Sequence, residues 1–283
     1  MLKMFMRILK KIYYKLICPS KRHFRYYLDY SYFSEGGSFK ISFKDAIVEV
    51  APLSKMLCRD EFINILCSGP SLRSITRMEK LFSHPTLVMN GSHMFYEGTD
   101  SVFDYYVVSD IGFVRRNWDL FIKGLQKSKN LLFDHRVIAE ALQVDSSVFN
   151  GKNVYVYDLF KRPYNRKIKN GKTVFSLNSS DGFNSSKTVA FLALQLAASI
   201  GYKNIHFFGL DLNNKLRFYS EKNPEKSMID EDFLDILEDF QHAAEICKDR
   251  DISVVNASPE SRLPEEIFPK IDPNEILDGM PGD

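Results

Sequence analysis

Cysteine is scarce in this 283-residue chain, and its four copies, Cys18, Cys58, Cys67 and Cys247, form no C-x-x-C pair. That spacing argues against a zinc ribbon and against a disulfide framework, and the expected compartment is the cytosol. Missing as well is any apolar run near the roughly 20 residues that span a bilayer, and no small-residue cleavage site follows a continuous apolar stretch. No G-x-G-x-x-G is present, and Asp181–Thr188 lacks the glycines a phosphate loop needs around Lys187-Thr188, which disfavours a dehydrogenase or P-loop ATPase. Residues 1–28 contain no Asp or Glu.

Those same 28 residues hold eight Lys or Arg, whereas residues 29–283 carry 30 Lys or Arg against 36 Asp or Glu, a net −6. A basic arm on a mildly acidic body does not suit nucleic acid, for which cations should run across the folded surface itself. Leu2, Phe5, Met6, Leu9, Ile12, Tyr13 and Leu16 recur at helical spacing, with Lys3, Arg7, Lys10, Lys11 and Lys15 on or beside the other face. The expectation is one basic amphipathic helix lying on an anionic membrane surface, each cation contributing on the order of 1 kcal/mol. The alternative is a helix packed on the body's own core.

With 45% hydrophobic residues, the rest of the chain can bury a sizeable core in one domain. Apolar runs at Phe62–Cys67, Thr86–Met89, Tyr105–Val108, Asn130–Phe133, Val154–Tyr157, Ile205–Phe208 and Ile252–Val255 alternate with helical patterns. Helices are expected after Ser71, up to about Lys127, along Val189–Ile200 and from Ile229 to Ala244. The fold class is therefore α/β, a Rossmann-like, mostly parallel sheet with helices on both faces behind the amphipathic arm. Ser38–Phe43 and Ile47–Val50 give a β-rich lead-in. The expected division is a membrane-surface helix at 1–28, a nucleotide-sugar-binding domain at 29–262 and an acidic, Pro-rich tail at 263–283. Residues 161–187, without a strong period, suggest a lid or acceptor-facing loop.

Open parallel sheets bind ligands beyond the carboxyl ends of their strands. Polar residues follow four apolar runs there: Ser68-Gly69-Pro70-Ser71, Asn90-Gly91-Ser92-His93, Ser109-Asp110 and Gly209-Leu210-Asp211. Gly69 allows close backbone approach, and Ser71 could cap a helix whose free N–H groups favour an anion. Each motif singly is an ordinary connector. Together they outline one crevice. Asp230-Glu231-Asp232 matches a D-x-D metal pattern but opens a helix, where carboxylates are favoured electrostatically, so no metal and no cofactor are expected.

The string Leu66-Cys67-Ser68-Gly69-Pro70-Ser71-Leu72, the strand-end Asn90 and above all Ser185–Asp211 (SSKTVAFLALQLAASIGYKNIHFFGLD) resemble bacterial sialyltransferases that use a CMP-activated donor. With the basic start and the length, the chain looks more like the lipopolysaccharide-core family that adds a third Kdo (3-deoxy-D-manno-octulosonic acid) residue. The resemblance implies a CMP-Kdo donor, a lipid A-core acceptor and a peripheral position on the cytoplasmic face of the bacterial inner membrane. It also implies donor contacts from Ser68, Gly69, Ser71, Asn90, Ser186, Lys187, Thr188 and Asp211, with Tyr219 on the leaving phosphate. Ser109 replaces a donor-binding Asn of that family, Asn213 a second tyrosine, and residues 223–232 lack its histidine. His93, Asp110 and His135, just past strands, are the candidate bases for an inverting, metal-independent transfer. Another nucleotide-sugar transferase, or a membrane-bound subunit without chemistry, are the alternatives.

Overall fold

Ten strands share one sheet in the order β1-β2-β3-β8-β7-β6-β5-β4-β11-β12. The computed structural model describes Phe5, Met6, Ile8, Leu9, Ile12, Tyr13, Tyr27 and residues 29–58, 60–98, 100–159, 167–168, 172–173, 175–214, 217–222, 224 and 226–280. β1 (Tyr30–Glu35), β2 (Ser38–Phe43) and β3 (Ala46–Pro52) form an antiparallel meander. Gly36 and Gly37 close its first turn at φ +60° and +83°, the left-handed pair that a two-residue hairpin with the right-handed strand twist requires.

β3 then pairs in parallel with β8 (Asn153–Tyr157), and every further ladder of this sheet is parallel. From β4 (Phe62–Leu66) the chain steps outward through β5 (Thr86–Met89), β6 (Phe103–Val108) and β7 (Ser128–Asp134) to β8. It then returns past a two-residue hairpin, β9 (Lys167–Ile168) and β10 (Lys172–Thr173), to lay β11 (Asn204–Phe208) on the other side of β4 and β12 (Ser253–Asn256) beyond it.

Successive strand residues face opposite cores. Tyr106, Val108, Leu131 and Phe133 join one cluster, with α1 (Met78–Leu81), α2 (Ile111–Arg116), α3 (Trp118–Gln126), α4 (His135–Val144) and α7 (Pro273–Gly279). Tyr105, Val107 and Leu132 join the other, under α5 (Val189–Ile200) and α6 (Ile229–Asp249). The sheet is thus covered on both faces, as the alternation of patterns implies. α5 buries every side chain from Ala190 to Ala197, including Gln195 at 0% exposure. The Gln195 amide accepts from the backbone N–H of Ser176 (3.1 Å) and Asn184 (3.2 Å) and donates to the Asn184 carbonyl (2.8 Å).

The structure departs from the sequence expectations in four places. After β4 there is no α-helix at Ser71 but a 3-10 turn over Pro70–Ser74, with i→i+3 bonds from Leu72 to Gly69 and from Ile75 to Leu72. The helix expected up to Lys127 is two helices broken at Asn117, whose backbone is not helical. Residues 263–280 are no free tail: Leu263, Phe268 and Leu277 are buried, and Asn274 accepts from the Thr76 N–H at 2.8 Å. Of the expected lid or acceptor-facing loop at 161–187, residues 161–166, 169–171 and 174 lie outside the described residues; Ser176 and Asn184 are tied to Gln195 and Phe183 is fully buried, while Ser185, Ser186 and Lys187 line the ligand cavity. The arm also lies largely outside them. Of its seven described residues, the six from Phe5 to Tyr13 are helical and 43–57% exposed, and Tyr27 is buried at 6%.

Two histidines, buried His93 and half-buried His206, have no hydrogen-bonded carboxylate among the described residues. Burial pushes His93 down to about 4, with Lys123 and Lys127 adding to the effect and the Leu120 carbonyl opposing it. Burial and the neighbouring His84 push His206 down to about 4 as well. The unfolded chain, with histidines near their ordinary 6.5, takes up these protons first, so the stabilisation is present above about 6.5 and lost as pH falls toward 4. Urea unfolding should give a stability that is flat above pH 7 and falls by about 3 kcal/mol or more between pH 6.5 and 4. His206→Gln should flatten that decline by about half.

Candidate active site

The strand order reverses between β4 and β11, so the loops leaving their carboxyl ends part to opposite faces and open a crevice. The two loops are stitched together at its floor: Cys67 N–H bonds the Phe208 carbonyl at 2.8 Å and Gly69 N–H the Gly209 carbonyl at 2.9 Å. A Cβ on Gly69 would lie 2.5 Å from both the Gly209 carbonyl oxygen and an Asp211 carboxylate oxygen, so only glycine fits. Asp211, 4% exposed, accepts from the Ser71 N–H (3.0 Å) and the Ser71 hydroxyl. The Ser71 and Ser258 hydroxyls also share a hydrogen bond of 3.1 Å. Ser71 is therefore a strut of the crevice rather than part of its lining.

Above this floor is a cavity of about 470 Å³, within the range of small-molecule sites. Ser68 and Gly69 line it after β4, Asn90 after β5, Ser109 and Asp110 after β6, and Arg136 after β7; Asp211 lines it after β11. Ser186, Lys187 and Thr188 close it at the start of α5. Five non-glycine residues have left-handed φ among the described residues, and three of them, Asn90 (+48°), Ser186 (+45°) and Leu212 (+51°), line this cavity. Backbone held in such conformations collects at ligand sites. The Asn90 side-chain oxygen is buried and has no hydrogen-bond partner among the described residues.

Two long helices aim their N-termini at the cavity. Thr188 caps α5, its hydroxyl accepting from the Ala190 N–H at 3.3 Å, and Met228 and Ile229 begin α6 on the wall. The positive ends of their dipoles favour an anion. Lys187, Arg217 and Lys226 line the same region, each held by a carboxylate: Asp232, Glu221 and Glu231 respectively. Asp230 bonds Arg262 and Asn214. The D-x-D carboxylates are thus spoken for by cations, and no group of three metal-ligating side chains occurs among the described residues.

Of the candidate bases, Asp110 alone lines the cavity. It caps α2 through the Gly112 N–H (2.7 Å) and pairs with Arg116 at 3.1 Å. His93 is 1% exposed, edge-on to Tyr106. His135 is 4% exposed, with Tyr30 at 2.6 Å on Nδ1 and Asp158 at 3.5 Å on Nε2. Neither lines the cavity: His93 packs against Tyr106, and His135 against Tyr30 and Tyr32. Tyr219 also points away: its ring fills the space at Gly91, and its hydroxyl accepts from Arg217 (3.2 Å) and donates to Glu221 (3.0 Å). Burial raises its pKa. The sequence reading takes His135 as the titratable residue near the end of this run and passes over Arg136, the next residue, which is the one that lines the cavity.

Fold and site together define an α/β protein with an anion-favouring ligand cavity at its switch point. A family model described as 3-deoxy-D-manno-octulosonic acid transferase WaaZ matches residues 163–274. The chain is 27% identical over 237 residues to a probable 3-deoxy-manno-octulosonic acid transferase of Escherichia coli K12, covering 75% of this chain and 83% of that protein. It is 25% identical over 240 residues to the protein of the same description from Salmonella typhimurium LT2, covering 76% and 88%. Sialyltransferase CstII of Campylobacter jejuni, solved with CMP-3FNeuAc, aligns at a TM-score of 0.44 and 14% identity over 76% of this chain and 87% of that one. The monofunctional α-2,3-sialyltransferase Cst-I of that organism aligns at 0.41 and 13%, over 81% and 91%. The resemblance read from the sequence is the one these comparisons find.

The floor makes its own test. Gly69→Ala should force the β4 and β11 loops apart and lower stability by about 1–3 kcal/mol, measured by chemical unfolding, although φ at Gly69 is an ordinary −70°.

Proposed function

We propose that the protein is a glycosyltransferase that moves Kdo from CMP-Kdo to the inner core of lipopolysaccharide, working as a peripheral protein on the cytoplasmic face of the inner membrane. The observation that carries this reading is the convergence of the α5 and α6 N-termini with Lys187, Arg217 and Lys226 on one cavity at the β4/β11 switch. The segment matched by the Kdo transferase family model, 163–274, supplies both of those helices and Asp211.

The nucleotide lies against Ser68, Gly69 and Asp211, with Asn90 donating and accepting at the sugar side. An acceptor hydroxyl attacks the anomeric carbon from the face opposite the phosphate, giving inversion. Asp110 takes the hydroxyl proton as the new C–O bond forms. The bond to the phosphate breaks, and CMP leaves with the electron pair. Charge growing on that phosphate is met by fixed N–H groups and cations, the kind of preorganised stabilisation that supplies the largest catalytic contribution without a metal. Lys187 and Arg217 need little reorganisation for this, since Asp232 and Glu221 already hold them.

The six exposed arm residues, Phe5, Met6, Ile8, Leu9, Ile12 and Tyr13, support a membrane-facing arm, because a helix packed on the body would cover them. Such an arm keeps the cavity beside an acceptor that cannot leave the bilayer.

Incubation of a truncated core–lipid A acceptor with the protein and CMP-Kdo generated in situ should add one Kdo by mass spectrometry. The gain should survive EDTA and vanish in Asn90→Ala. No gain with verified donor and acceptor would move the assignment to another nucleotide sugar. Removing residues 1–26 should abolish co-sedimentation with vesicles containing anionic lipid, and ~1 M salt, where the Debye length is about 3 Å, should weaken it in the intact chain.

A further inference from the structure

Arg136 has no role in donor binding as described above, yet it is built into the cavity with unusual care. Its Nε donates to Asp134 Oδ1 at 3.1 Å, and its Nη2 to Asp134 Oδ2 at 2.9 Å and to the Ser109 carbonyl at 3.3 Å. Asp134 itself is 1% exposed and is fixed further by the Arg136 backbone N–H at 2.7 Å. These contacts use the Nε–H and both Nη2 N–H groups of the guanidinium. Nη1, with two N–H groups, bonds nothing among the described residues, while the side chain is 25% exposed and lines the cavity. A guanidinium clamped at Nε and Nη2 and open at Nη1 suits an oxygen of a carboxylate or phosphate.

Its place says which ligand. β7 is three strands from β4, roughly 14 Å at the usual 4.8 Å spacing, so Arg136 lies beyond Asp110 from the nucleotide crevice. One turn along α4, Glu140 accepts from the Tyr27 hydroxyl at 3.2 Å and is gripped by Arg115 at 2.6 and 2.7 Å. Tyr27 is where the basic arm joins the body. The Arg136 end of the cavity is therefore the end nearest Tyr27, through which residues 1–26 join the body.

We propose that Arg136 is the acceptor anchor, its open Nη1 group donating to an anionic group of the membrane-borne acceptor and so setting the acceptor hydroxyl against Asp110. This rests on the glycosyltransferase reading. The anion is a sugar carboxylate or a phosphate, and Asp134 is the positioning residue that aims the fork. Lysine, with a point charge and no fork, replaces it poorly.

The test is steady-state transfer to three acceptors: the free acid, its carboxyl methyl ester and a dephosphorylated form. Arg136→Gln should raise the acceptor KM about tenfold or more and leave the donor KM unchanged, with Arg136→Lys between the two. In the wild-type protein one of the neutralised acceptors should show the same loss, which identifies the anion, and Arg136→Gln should no longer distinguish it from the free acid. Because Arg136→Gln takes a cation away from buried Asp134, the Asp134→Asn/Arg136→Gln double variant, checked by thermal unfolding, carries the same comparison. A raised donor KM, or an equal penalty on charged and neutralised acceptors, would overturn the anchor. If the wild-type protein transfers nothing, the glycosyltransferase reading fails by itself, and the anchor is read by calorimetric titration of the three acceptors into the wild-type chain and into Arg136→Gln. Loss of the free acid's advantage in the variant supports the anchor, and its persistence refutes it.

Discussion

The parallel ladder between β4 and β11 is the constraint on which the site depends. Five residue pairs, from Phe62↔Asn204 to Leu66↔Phe208, bring together strands separated by most of the domain. β4 is thereby flanked by β5 and β11, whose connections leave toward opposite faces. A crevice follows from that geometry whatever the loops contain. What the loops add is its floor, where Gly69 lets two backbones touch and Asp211 ties Ser71 across the gap. A side chain at Gly69 would wedge the ladder apart at the point where the ligand cavity begins.

The charges around the cavity have a common design. Lys187, Arg217, Lys226 and Arg136 each have a carboxylate partner from the protein, so none depends on a ligand to be held in place. The N-termini of α5 and α6 supply further positive potential from backbone that cannot reorient. An anionic ligand then meets donors whose positions were settled during folding. The carboxylates belong to α6, to the 217–222 segment and to β7, so the helix and strand packing around two separate cores controls the electrostatics of one cavity.

Much of the fold was legible because its signals are local. Apolar runs such as Thr86–Met89 coincide with β5, and the apolar face of Val189–Ile200 with α5, since burial on both faces of a parallel sheet demands such runs. The polar residues at strand ends were legible for the same reason, once the strands were placed. Less legible were elements whose shape is set by partners distant in sequence. The turn after Gly69 is 3-10 because Asp211, 140 residues on from Ser71, takes the Ser71 N–H. Residues 263–280 read as a polar tail because their few apolar side chains carry no period, yet Leu263, Phe268 and Leu277 find cover in the two cores.

The sequence by itself determined the α/β class, the position of most strands, the basic arm and the set of polar groups that could gather at one sheet edge. These follow from periodicity and composition, which act over a few residues. Only the tertiary structure decided which of those groups share the cavity. It kept Asp110, turned His93, His135 and Tyr219 into the body, made Ser71 a strut, and brought in Arg136. Side-chain direction at a strand end depends on where the strand stops and what packs beside it. After β7 the His135 ring packs against Tyr30 and Tyr32 of the meander, and the side chain that lines the cavity is that of Arg136, held by Asp134.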